Sequence, residues 1–107
     1  MAALSIQERK RLRQIGHALN PVVMIGDKGL SESVIEELNR ALSDHELIKV
    51  KVVAEDREAR SALITELTET SGAQLVQSIG KIALLYKKAA KQNQKLSNSV
   101  RHAHLGN

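Results

Sequence analysis

Between Val22 and Glu32 the hydrophobic pattern changes period within a few residues. Val22-Val23-Met24-Ile25 is a short apolar run rich in β-branched side chains, Gly26-Asp27-Lys28-Gly29 carries two glycines three apart, and from Leu30-Ser31 onward the apolar positions recur at helical spacing. A run of that length closed by glycine reads as a strand, and the segment behind it as an amphipathic helix. Any fold open to this chain must therefore place a strand, a glycine turn and a helix in succession. Glycine adopts backbone angles that other residues avoid and, lacking a Cβ, lets a ligand approach the main chain. The turn also lies where the next helix offers unpaired N–H groups and the positive end of its dipole. Two readings stand side by side: glycines that serve only a tight connection, or a turn that cradles a phosphate, with Lys28 as the cation at its tip. Neither the G-x-x-x-x-G-K-[ST] nucleotide loop nor the G-x-G-x-x-G dinucleotide turn is present. The nearest mechanical analogue is the GXXG loop with which KH modules clamp a nucleic-acid backbone.

Upstream, residues 5 to 19 read as a helix. Ser5 and Glu8 make a capping box, Leu12, Ile15 and Leu19 form one apolar stripe, and Lys10, Arg13, Gln14 and His17 fall opposite it, as a solvated face or a binding one. Pro21 ends it. The run from Val22 to Ile25 does not alternate, which predicts a strand buried on both faces or central in a sheet. The helix after the glycine turn covers about residues 31 to 43, capped by Ser31 or Ser33, with Val34, Ile35, Leu38, Ala41 and Leu42 inward and Glu32, Glu36 and Glu37 outward. A second strand, Leu47 to Val53, sends Ile48, Val50 and Val52 one way and Lys49 and Lys51 the other. One face of the sheet is thus core, and the other carries cations that are either solvated or engaged by a partner.

A third, acidic helix begins near Asp56 and closes at Gly72. Residues 74 to 79 and 81 to 86 form a hairpin about Gly80-Lys81, a pair suited to a type II′ turn, with Leu75, Gln77 and Ile79 opposing Val76 and Ser78. From Lys87 the chain is polar, basic and free of acids, which predicts a mobile or weakly helical tail over 89–107. The order αβαβαββ predicts an α/β fold: a two-layer sandwich with a mixed four-stranded sheet and its helices on one side.

Charge narrows the function. The net charge of +4 is segregated, with +3 over residues 1–29, −5 over residues 30–72 and +6 over residues 73–107. That distribution suits a polyanionic partner met by the two basic ends, the acidic middle facing away. Tyr86 is the only aromatic residue, so modules that stack bases on several exposed rings are excluded, and recognition of backbone and shape remains. The absence of cysteine excludes disulfides and fits a reducing cytoplasm. No apolar stretch approaches the length of a membrane span. Asp44-His45-Glu46 invites an acid–base reading, but adjacent residues point in different directions, and a histidine closing a helix already suits its dipole. His102 and His104 make an incomplete metal site. With neither a metal set nor a nucleophile paired to a base, no enzyme and no cofactor are expected.

Four stretches, His17-Ala18-Leu19-Asn20-Pro21-Val22-Val23, Gly26-Asp27-Lys28-Gly29-Leu30, His45-Glu46-Leu47-Ile48-Lys49-Val50-Lys51 and Ile79-Gly80-Lys81-Ile82-Ala83-Leu84-Leu85-Tyr86, resemble the CRM domain in order and spacing. This is the chloroplast RNA splicing and ribosome maturation module, and the resemblance is closest to its free-standing bacterial form, the YhbY type. The resemblance covers roughly residues 4 to 88. It implies an RNA-binding domain over residues 1–88, similar in fold to the C-terminal domain of translation initiation factor 3. It also implies a cytoplasmic place in large-subunit assembly, on precursor ribosomal RNA. Carried onto this chain, the family's GxxG loop is Gly26, Asp27, Lys28 and Gly29, and its basic surroundings match Lys10, Arg13, His17, Lys49 and Lys51. A second expectation, of a different class, is a protein-interaction module that docks an acidic partner through its basic tail.

Overall fold

The computed structural model describes residues 4–26, 29–93 and 95–98. Seven elements follow one another: α1 (Ile6–Gly16), β1 (Pro21–Ile25), α2 (Glu32–His45), β2 (Leu47–Val52), α3 (Arg57–Ser71), β3 (Gln74–Ile79) and β4 (Ile82–Tyr86). Local chemistry sets most of their ends. Ser5, Ser31 and Asp56 cap the three helices, their side-chain oxygens accepting from the N–H groups of Glu8 at 3.1 Å, Val34 at 3.3 Å and Ala59 at 2.8 Å. Gly72 ends α3 at φ 75°, a left-handed cap that glycine takes without strain. In the hairpin Gly80 has φ 55° while Lys81 stays at negative φ, as a type II′ turn requires.

The sheet is mixed, in the order β1-β2-β4-β3, with β1 parallel to β2 and the other pairs antiparallel. The α/β fold class and the order αβαβαββ are those the sequence predicts. The expectation of two layers with all helices on one side needs correction. On one face Ile48, Val50, Val52, Ala83 and Leu85 pack with Leu38 and Leu42 of α2 and Ile64 and Leu67 of α3. On the other, Leu47, Val76 and Leu84 pack with Leu12 and Ile15 of α1. The first helix therefore lies alone across the opposite face. The alternation of β2 hides this, because Lys49 and Lys51 make that face look solvated, whereas Leu47, Val76, Leu84 and Tyr86 give it an apolar half. α1 comes very close there: a Cβ on Gly16 would lie 2.6 Å from Cδ2 of Leu84.

Two further expectations change. β1 is an edge strand with Val23 and Ile25 buried but Val22 and Met24 47% and 64% exposed. Among the described residues no helix covers its far side, so its unbroken apolar run does not mark burial on both faces. In β3 the register shifts between Leu75 and Gln77. Leu75 packs against the α2/α3 core and Val76 against the α1 cluster, while Gln77, paired with Leu84, shares the α1 face. The bulge is held by Arg9, whose guanidinium donates to the carbonyls of Leu75 at 2.7 Å and Val76 at 3.2 Å.

Beyond β4 the chain bonds back to the domain around Glu46, which is fully buried and has φ 62°. Its carboxylate accepts from the Ala89 N–H and the Gln92 amide, each at 2.8 Å, and from the Ser97 hydroxyl. Asn98 donates to the carbonyl of Leu47 at 2.7 Å, His45 Nδ1–H to that of Leu96 at 2.9 Å, and Lys87 Nζ to that of Ser71 at 2.8 Å. Arg101, His102 and His104 lie outside the described residues.

Candidate nucleic-acid interface

At the end of β1 the chain closes a tight turn, in which the Gly29 N–H donates to the Gly26 carbonyl at 3.0 Å. Gly29 has φ 66°, so glycine is required there by conformation. Gly26 is not in the left-handed region, and a Cβ built on it meets nothing within 4 Å. Among the described residues nothing covers Gly26. Asp27 and Lys28, the other members of the predicted loop, lie outside the described residues.

Lys49 and Lys51 project from β2 on the face that carries α1, opposite the α2/α3 core. Lys51 is exposed and lies in register with Met24 of β1, so it stands close to the strand end from which the glycine turn departs. Lys49 is half-buried and shares a groove with His17, the residue that caps the C-terminal end of α1. Lys10, Arg13 and Gln14 precede His17 at seven, four and three positions. On a helix they form one stripe leading away from that groove over roughly 10 Å. Lys10 and His17 are exposed and Arg13 is partly so. The structure thus gathers His17 with Lys49 at the groove, sets Lys51 toward the glycine turn, and runs Lys10 and Arg13 along α1. Among the described residues no carboxylate forms an ion pair with any of these five side chains. The acids of α2 and α3, among them Glu32, Glu36, Glu37, Glu58, Glu66 and Glu69, belong to the helices on the other side of the sheet.

The groove encloses about 180 Å³ between the end of α1 and the β3–β4 hairpin, and Gly16, His17, Lys49, Gln77, Ile79 and Leu84 line it together with Ile82. Sequence reasoning missed it, because the bulge in β3 decides which way Gln77 and Ile79 turn. A glycine inside an otherwise regular helix was the available signal. Tyr86 is not offered for stacking. It is half-buried against the α1 cluster, and its phenol pKa is raised, chiefly by burial and then by the Glu46 charge, against a smaller lowering by Arg11. Among the described residues no three His, Cys, Asp or Glu side chains form a group that could hold a metal, and no helix is long and apolar enough to cross a membrane.

The CRS1/YhbY (CRM) domain model matches residues 4–87. The chain belongs to the CRM domain family. Among its relatives, a Pseudomonas aeruginosa protein named a probable RNA-binding protein is 50% identical over 101 residues, covering 94% of this chain and 97% of the relative. A Haemophilus influenzae protein named RNA-binding protein is 45% identical over 87 residues, 81% of this chain and 88% of the relative. The solution structure of a hypothetical Staphylococcus aureus protein, titled as a candidate RNA binder, superposes with a TM-score of 0.71 at 30% identity, covering 88% of this chain and 98% of that one. In this CRM domain the glycine turn and the lysines of β2 are therefore carried on the family's own fold.

Proposed function

We propose that this CRM-domain protein binds RNA through the Gly26-Asp27-Lys28-Gly29 turn and the adjacent cations Lys51, Lys49, His17, Arg13 and Lys10. The observation that carries the reading is the sorting of charge across the sheet: on the α1 face Lys10, Arg13, His17, Lys49 and Lys51 form no ion pair with a carboxylate among the described residues, and the acidic helices α2 and α3 lie on the other. Such a surface attracts phosphates and, with no exposed Phe, Tyr or Trp ring, reads backbone and shape. The names of its relatives support RNA as the partner. Residues 1–88 are the binding unit, and the lysines that follow add to its field. The protein acts in the cytoplasm without a cofactor and catalyses no reaction.

The resemblance to the YhbY type supports precursor ribosomal RNA in particles of the assembling large subunit as the target. A domain that contacts mainly backbone draws its selectivity from a folded, crowded RNA shape, which such a precursor supplies. In a sucrose gradient of cell lysate at low salt, the protein is expected at or below the mature large subunit and not on polysomes, and raising the salt should release it. Its loss should slow large-subunit maturation, most visibly in the cold. Sedimentation only at the top of the gradient, with subunit profiles unchanged in its absence, would remove the ribosomal reading and leave RNA binding to be tested alone. Docking of an acidic partner by the basic tail is less well supported, because Lys87, at its start, already donates to the Ser71 carbonyl.

A further inference from the structure

We propose that the groove between the end of α1 and the β3–β4 hairpin receives the base of one unpaired RNA nucleotide, an inference that rests on the RNA-binding reading above and adds a point of base recognition to it. Backbone contact alone leaves this part of the surface unexplained. Ile79 is 62% exposed, and Leu84 and Ile82 form an apolar floor beside it. Gln77 lines the same space, and its side-chain amide makes no hydrogen bond to another described residue. A phosphate has no use for an aliphatic floor, whereas a base has apolar faces and a polar edge that a primary amide meets with one donor and one acceptor.

Size and charge select the occupant further. At about 180 Å³ the groove is smaller than the roughly 300–1,000 Å³ of pockets for drug-sized ligands, which suits a single ring system. Lys49 and His17 stand in its wall, placed to meet the phosphate of a nucleotide whose base points inward. Bases locked in a duplex cannot enter a groove of this shape, so the nucleotide must be bulged, looped or terminal. The close approach of α1 at Gly16 forms the remaining wall, since a Cβ there would lie 2.6 Å from Leu84 Cδ2 and force that side chain or the helix to shift.

The test compares two synthetic RNA hairpins with identical backbones. One carries a single bulged nucleotide, tried with each of the four bases, and the other an abasic ribose at the same position. With the full-length protein at fixed salt, at least one base should bind roughly tenfold tighter than the abasic control, the scale of one buried or stacked base. The double variant Gln77→Ala, Ile79→Ala should lose that margin while keeping both the affinity for the abasic hairpin and its salt dependence. Both side chains are at least partly exposed, so the fold should tolerate the change, and circular dichroism checks it. Equal affinity of the wild type for all four bases and the abasic control would overturn the proposal, as would a variant that weakens both hairpins by one factor. Failure to bind either hairpin would overturn the RNA-binding reading itself, and this proposal with it.

Discussion

Gly26 and Gly29 occupy one turn, yet their backbones make different demands. Gly29 has φ 66°, where a Cβ costs roughly 1–2 kcal/mol through its clash with the carbonyl, and the space around it is otherwise ordinary, with Leu63 Cδ2 at 3.8 Å. Gly26 carries no such constraint, and a side chain there meets only open space. Gly29→Ala should therefore lower stability by about that amount in urea denaturation, whereas Gly26→Ala should leave it unchanged. If RNA approaches the main chain at this turn, Gly26→Ala weakens binding without a stability change, a pairing that a purely structural glycine would not give. Unaltered RNA affinity in Gly26→Ala would reduce the turn to a connection. The pair of glycines was legible in the sequence, but their separate roles were not, because φ at Gly29 depends on how the turn meets α2.

At the scale of elements, the segment after β4 is tied down around Glu46, with His45 and Asn98 adding one hydrogen bond each. Glu46 accepts hydrogen bonds from Ala89, Gln92 and Ser97 in a fully buried position at the α2–β2 junction. Glu46→Ala should cost about 3 kcal/mol, since hydrogen bonds to a charged acceptor are strong and their donors would be left in place. Truncation after Lys88 should cost at least as much, because it leaves the carboxylate without these partners and also removes the His45–Leu96 and Asn98–Leu47 hydrogen bonds. The two changes together should cost clearly less than the sum of each, because they remove one shared set of contacts. Additive losses in urea denaturation would separate Glu46 from the strap. Nothing in the polar, acid-free tail announces these bonds, which pair residues some fifty positions apart. The helix caps at Ser5, Ser31 and Asp56 and the turn at Gly80 were readable because their signals are local. The side of the sheet taken by α1, and the edge position of β1, depend on partners remote in sequence. The lysines of β2 disguised the first, and an unbroken apolar run disguised the second.

The whole molecule is two-sided. α2 and α3 bring most of the acidic residues to one face of the sheet, and α1 leaves the other only partly covered, with Lys49 and Lys51 beside it. This division was legible as a charge distribution along the chain, and the alternation of β2 already placed the two lysines together. The groove was not legible, since it needs the β3 bulge, the Gly16 approach and the hairpin in their folded positions. The central claim is that the α1 face meets RNA phosphates. It is tested most directly by the salt dependence of RNA affinity for the wild type and for Lys49→Ala, Lys51→Ala. Affinity should fall steeply with salt in the wild type, and the log–log slope should flatten by roughly 0.7 to 0.9 for each lysine that contacts a phosphate. A double variant with the slope and affinity of the wild type would contradict the account and take this face out of the binding surface.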